Sequence, residues 1–210
     1  GFNVRGGSAD QNLILFNEST IYNPSHFFGM FSAFNPEVVK DIELYKSSMP
    51  AKYGGRLSSV LDINSREGNK KKITGSAGIG PVTSRIQLEG PIVKDKTSFI
   101  LGGRTTYANW LINLLPEEFD KSKASFQDAN LGISHNIDSN NNIYINGYYS
   151  RDRFTLADDT AYMYNNRNLS VKWKRNLSRR LQGELIGGYD YYKYQISSES
   201  NEVNAFKLHF

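Results

Sequence analysis

The 210-residue chain contains no cysteine. Disulfide scaffolds, thiolate metal sites and Cys-based catalysis are therefore excluded, and redox chemistry says nothing about compartment. Histidine is scarce: His26, His135 and His209 lie far apart with no i, i+4 spacing, so no zinc site is implied. No stretch of about 18 apolar residues exists, which rules out a transmembrane helix. The first residues, Gly-Phe-Asn-Val-Arg-Gly-Gly, lack a charged segment followed by an apolar run and are not a signal peptide. Both ends fall inside strand-like patterns, as in a chain cut from a longer one. The net charge is only +4. Its densest basic run, Lys70-Lys-Lys72, reads as a solvated loop, so nucleic acid is not an expected partner. Adjacent carboxylates at Glu117-Glu118 and Asp158-Asp159 read as solvated too. No nucleophile–base pattern stands out, and neither an enzyme nor a cofactor is expected.

Glycine (18), tyrosine (13) and phenylalanine (12) are plentiful. The mean hydropathy of −0.52 has the value of a soluble protein. A transmembrane β-barrel has similar values, because lipid-facing apolar residues alternate with lumen-facing polar ones. From about residue 70 onward the period is two. Ile86 and Leu88 oppose Arg85, Gln87 and Glu89. Leu131 and Ile133 oppose Asn130 and Ser134. Ile143 and Ile145 oppose Tyr144 and Asn146, and Leu169, Val171 and Trp173 oppose Ser170, Lys172 and Lys174. Leu185 and Tyr189 oppose Glu184 and Asp190, and Phe206 begins an eighth run.

The connectors between these runs sort by length. Residues 93–96, 139–142 and 178–180 read as tight polar turns. Residues 109–125 and 154–168 read as long loops, and 197–204 as intermediate. Only the connector near 81–84 is short where a long one is due. Short turns at one end and long loops at the other are the habit of outer-membrane barrels. Trp173, near a tight turn, and Tyr107, near a long loop, fall where opposite aromatic girdles belong. A soluble β-rich module would leave long exposed sheet edges.

Before Gly68 the organisation differs. Leu13–Phe16 reads as a short strand, residues 17–36 as an aromatic-rich loop, and Pro36-Glu-Val-Val-Lys as the opening of a brief helix. Ile42–Lys46 and Leu57–Asn64 read as strands around Gly54 and Gly55, a pair that permits a sharp turn. Gly90-Pro-Ile-Val-Lys-Asp-Lys-Thr97 approaches a phosphate-binding loop. Asp95 stands where the second glycine belongs, and the context is strand–turn–strand, so that reading is set aside.

The segment Ile42-Glu-Leu-Tyr-Lys-Ser-Ser-Met-Pro-Ala-Lys-Tyr-Gly-Gly-Arg-Leu-Ser-Ser-Val-Leu-Asp-Ile63 resembles the hallmark of the plug of TonB-dependent outer-membrane receptors. Val4-Arg-Gly-Gly resembles that plug's arginine–glycine motif. Asn12-Leu-Ile-Leu-Phe-Asn17 resembles a strand that in the family ends in Asp-Gly; Asn17-Glu18 departs from it. Tyr22-Asn-Pro-Ser-His-Phe-Phe-Gly29, Phe31-Ser-Ala-Phe-Asn-Pro36 and Gly90-Pro-Ile-Val-Lys-Asp-Lys-Thr-Ser-Phe99 resemble a Bacteroidetes-type branch. The resemblance implies a mostly β fold: a small α/β plug over residues 1–69, then antiparallel transmembrane β-barrel strands over 70–210. About eight of an expected ~22 strands are present.

It also implies TonB-dependent active transport of a glycan, peptide or siderophore-like nutrient across the Gram-negative outer membrane. The alternatives are a passive or signal-relaying barrel, and a soluble β-rich binding module. Implied partners are TonB with ExbB/ExbD, acting through a segment outside this sequence, outer-membrane lipid and a surface lipoprotein lid. Tyr22, His26 and Phe27 are expected to face substrate. Phe31 and Phe34 are expected to pack the plug against the barrel wall. Arg5 and Lys46 match basic positions that latch the plug to wall carboxylates, and Gly54, Gly55 and Arg56 form the plug's turn.

Overall fold

The computed structural model describes residues 11–26, 29–46, 49–55, 58–107, 122–156, 160–198 and 201–209. Among them there are strands and turns and no α-helix.

A small mixed sheet comes first. It contains β1 (Asn12–Phe16), β2 (Ser19–Thr20), β5 (Val39–Tyr45) and β6 (Ser59–Ser65), in the order β2-β1-β6-β5. The pairing of β1 with β6 is parallel and the others are antiparallel. A separate hairpin joins β3 (Ser25–His26) to β4 (Phe31–Ser32). The brief helix expected at Pro36 is a turn. The Val38 N–H donates to the Asn35 carbonyl at 3.1 Å, and the Asn35 side chain takes the Glu37 N–H at 3.1 Å. With its first donors satisfied that way, the chain runs straight into β5.

The remaining strands form one antiparallel sheet in chain order. They are β7 (Thr74–Ile79), β8 (Thr83–Val93), β9 (Thr97–Thr106), β10 (Lys123–Asn136), β11 (Asn141–Leu156), β12 (Thr160–Asn176), β13 (Gln182–Ser198) and β14 (Asn201–His209). Its eight strands form an open run with β7 and β14 at the two edges. Tight turns at 94–96, 137–140 and 177–181 close one end. At the other end the outcome differs from expectation. Residues 154–156 and 160–168 are strand and not loop, because β11 and β12 stay paired from Leu156–Thr160 to Asn141–Arg175. Likewise 197–198 and 201–203 lie within the β13–β14 pairing. Tyr162, Tyr164 and Asn166 keep the period of two that a loop would lose. Strands of 16 and 17 residues exceed the about 9–11 that a bilayer-crossing strand needs.

The two faces of the long sheet are inverted relative to a soluble protein. On one face Ser98, Asn130, Ser134, Ser150, Asn166, Asn168 and Ser170 are buried. On the other, Ile86, Leu101, Leu131, Leu169, Val171, Trp173 and Leu185 are exposed. The polar face is buried because the small sheet packs against it. The apolar cluster lies at that junction: Ile14, Phe16, Ile21, Phe34, Val38 and Ile63 meet Ile100 and Tyr148 of the long sheet. Phe34 belongs to this cluster, with its ring 5.4 Å from Phe16 of the small sheet.

Two glycines mark close approaches. A Cβ on Gly68 would lie 2.0 Å from the Phe99 carbonyl oxygen, where the link between the sheets crosses β9. A Cβ on Gly102 would lie 2.9 Å from Val38, where the Asn35–Val38 turn abuts the wall.

Candidate functional site

The seam between the small sheet and the long sheet holds most of the buried charge. At the end away from the tight turns, the β3–β4 hairpin inserts His26 into the polar face. Its side chain is 0% exposed. Nδ1 lies 2.8 Å from Asp152 Oδ1 and 2.9 Å from Oδ2, so it donates to that carboxylate. Nε2 lies 3.3 Å from Asp128 Oδ2, an ion-pair contact. Asp128 is held in turn by Arg104, whose Nε is 2.9 Å away, and the Arg104 guanidinium also donates to the Ser32 carbonyl at 2.8 Å. The imidazole stacks on Phe126 at 4.2 Å and 6°. Burial by itself lowers the His26 pKa. The two aspartates outweigh it and hold the imidazole above its ordinary value of 6.5. His26 is therefore set to carry a proton, and with it a charge, between two wall carboxylates.

Further toward the tight turns, β1 and β2 meet β12 and β13. Ser170 donates to the Asn17 carbonyl at 2.7 Å, the Thr20 N–H to Asp190 at 2.9 Å, and Asn168 to the Thr20 carbonyl at 3.0 Å. Lys172 Nζ reaches Glu18 at 2.7 Å. Two more ion pairs tie the small sheet to β8: Arg66 to Glu89 at 2.6 Å and Arg85 to Glu37 at 2.9 Å. Below Glu18 opens a polar cavity of about 640 Å³, lined by Asp62, Arg66, Glu67, Tyr144, Lys172, Lys174 and Glu184 among others. Asp62, on its rim, is pushed up by burial and takes a hydrogen bond from Tyr53 at 2.5 Å.

Asn17 and Glu18 explain how this corner is built. They are the two central residues of the β1–β2 hairpin and have φ of +50° and +71°. Such a two-residue turn needs positive φ at both positions and favours Asn-Gly. Glutamate at the second position is strained, and its carboxylate reaches the wall.

The sequence-predicted residues divide. His26 lies in the seam against wall carboxylates and not toward open solvent. Tyr22 is half-buried and stacks on Tyr192 of β13 at 5.2 Å and 28°. Gly55 has φ of +78°, as a tight turn there requires, and Gly54 beside it stands in open space. Lys46 is exposed and pairs with no carboxylate among the described residues. Arg5, Phe27 and Arg56 lie outside the described residues. The ionic contacts that do cross the seam, from Glu18, Glu37, Arg66 and His26, were not singled out as latches by the sequence. Glu18 left a signal: it stands where the family places glycine.

A mixed small sheet seated on the polar face of a long antiparallel sheet, with apolar residues outside, is a plug against a barrel wall. Residues 1–59 match the family model described as TonB-dependent Receptor Plug Domain. Residues 1–59 thus carry a TonB-dependent receptor plug domain, and the long sheet has the fold of a barrel wall. Solved receptors share this fold. The siderophore receptor PirA from Acinetobacter baumannii superposes with a TM-score of 0.66 at 14% identity, over 94% of this chain and 36% of its own. A ferric enterobactin receptor (PfeA) mutant from Pseudomonas aeruginosa, in complex with enterobactin, gives 0.63 at 14%, over 97% and 38%. The chain thus spans little more than a third of the receptors it resembles. No curated protein matches it in sequence.

Proposed function

We propose that this chain serves TonB-dependent active transport of a nutrient across the Gram-negative outer membrane, with residues 1–69 as plug and 70–210 as wall. The observation that carries this reading is the contrast across the wall. The outer face is apolar and exposed, as lipid requires, while the plug is held by discrete polar contacts and ion pairs around one small apolar cluster. Polar contacts exchange for water when a plug shifts, whereas a wide apolar interface would resist. Energy coupling would come from TonB with ExbB/ExbD. A lipoprotein lid at the cell surface fits the same reading.

The ligand surface we assign is aromatic. Above the His26 cluster the inward positions of β11–β13 change from Asn, Ser and Asp to Phe154, Tyr162, Tyr164, Tyr192 and Tyr194. Tyr164 stacks on Tyr194 at 5.0 Å, and Tyr22 of the plug joins through Tyr192. Such rings bind sugars, peptides or planar siderophores by area and stacking. Phe27 follows His26 directly in the chain and belongs to the same assignment. His26 serves that surface from beneath, as the plug's attachment.

The test is uptake in a strain lacking the receptor gene, complemented by wild type or by Tyr22→Ala/Tyr192→Ala, with and without TonB. Nutrient-limited growth that needs both the gene and TonB supports the reading. Growth restored equally without TonB would mark a passive barrel.

A further inference from the structure

The inward-facing cations of the seam are paired: Arg66, Arg85, Arg104 and Lys172 each meet a carboxylate. The outward-facing cations near the far end of the same strands are not. Arg151, Arg153, Arg167 and Lys193 pair with no carboxylate among the described residues. The register gathers them on one patch. Arg151 pairs with Asn165 and Asn165 with Lys193, forming one row across β11, β12 and β13. Arg167 is in the next row toward the apolar belt, between Tyr149 and Tyr191, and Arg153 is in the next row away from it. With strands about 4.8 Å apart and same-face neighbours about 7 Å apart, all lie within reach of one headgroup. Described outward neighbours in these rows include Ser125, Gln127, Ala129, Met163, Asn165 and Gln195, and none of these carries negative charge.

The patch has a fixed height. The apolar belt of Leu169, Val171 and Trp173 separates it from Arg175, which lies over the Trp173 ring at 6.0 Å. From Arg175 to Asn165 is about 33 Å along β12, or about 25 Å of height at the usual strand tilt, the thickness of a barrel's apolar band. Arg167 is already posed there. Its guanidinium lies 5.4 Å over Tyr191, and its Nε donates to Asn165 at 3.0 Å. Arg167 is exposed, and its other nitrogens meet no carboxylate among the described residues.

We propose that Arg151, Arg153, Arg167 and Lys193 form a docking site for the phosphate-bearing headgroup of an outer-leaflet lipid. The inference rests on the reading that these strands cross the outer membrane. Arginine suits the role because its planar fork meets phosphate oxygens in pairs. Tyr149 and Tyr191 fix the depth, since aromatic rings settle at the interface.

The test uses the full-length receptor in phosphatidylcholine nanodiscs doped with bisphosphorylated lipid A or its dephosphorylated form, with bound lipid counted by native mass spectrometry. Wild type should retain the phosphorylated lipid at least about tenfold better than the dephosphorylated one. Arg151→Gln/Arg153→Gln/Arg167→Gln/Lys193→Gln should abolish that preference. Arg175→Gln/Arg179→Gln/Arg180→Gln, at the opposite end, should keep it. The wild-type comparison stands alone if the quadruple variant fails to insert. Equal retention of both lipids by wild type overturns the site, as does displacement of lipid A by millimolar inorganic phosphate. A receptor that enters no nanodisc at all would instead overturn the membrane reading beneath it.

Discussion

The two faces of the wall strands share one backbone and answer to different surroundings. On β12, Asn166, Asn168 and Ser170 are buried against the plug, while Leu169 and Val171 between them are exposed. Burial and polarity are thus reversed relative to a soluble sheet, where apolar residues go inside. The difference teaches that what is buried here is a polar joint between two sheets. On the inner face, outside one small apolar cluster, stability comes from polar groups whose partners are specific and few. On the outer face it comes from area and needs no partner.

The largest effect is expected from breaking the inner face at its most buried charge. His26→Ala would leave Asp128 and Asp152 facing each other without the imidazolium. Removing one member of such a buried set costs about 3–5 kcal/mol. Limited proteolysis of the purified receptor should then cut the plug in conditions that leave wild type intact. A plug protected equally in both would show that this cluster does not hold it.

Next comes the outer face. Val171→Arg should cost about 2–4 kcal/mol in a folding titration, because it sets a charge in the lipid belt. Its neighbour across the sheet, Ile186, pairs with Lys172 and so faces inward, half-exposed to the lumen. Ile186→Arg should cost well under half as much, although both changes replace an aliphatic residue with arginine. Equal costs would refute the assignment of faces.

That pair of sites also shows what the sequence made legible. The alternation identified the long sheet, its exposed apolar face and the tight turns, because a period of two is written locally. Asn130 shows the limit. By pattern it is a wet lumen residue, indifferent to substitution. In the structure it is 7% exposed, packed beside Gly102 and Asn35. Which polar residues meet the plug depends on how two sheets dock, and no local period records that. The same holds for His26. Its aromatic neighbours in sequence suggested a ligand surface, but the residues that decide its role, Asp128 and Asp152, are more than a hundred positions away. Residues 154–168 misled for another reason. Asn165, Asn166 and Asn168 are turn-prone, and here cross-strand pairing outweighs that preference.

The joint should also respond to pH, more gently than to mutation. His26 is held above 6.5 by its carboxylates, so its contribution is fully present below pH 6.5 and fades as pH rises through its folded value. Deprotonation leaves one hydrogen bond to Asp152 in place, so the loss should fall short of that in His26→Ala. Protease sensitivity of the plug should rise on the alkaline side in wild type and stay flat with pH in His26→Gln. A parallel rise in both would place the titrating group elsewhere.

The smallest effect should come from the corner where both terms are local. Glu18 is strained at φ +71°, at a cost on the order of 1 kcal/mol, and gains a half-buried ion pair with Lys172, a contribution of similar size. Glu18→Gly removes the strain and the pair together and should leave plug stability nearly unchanged. Glu18→Gln keeps the strain and loses the charge, and should destabilise by about 1 kcal/mol. If glycine and glutamine variants were equally destabilised, the backbone would not be strained at this turn. If glutamine were neutral, Lys172 would gain nothing from its partner. The glycine variant with normal stability but faster plug release under TonB would separate what the corner does for folding from what it does for transport: strain in the turn is tolerated because it carries a carboxylate to the wall.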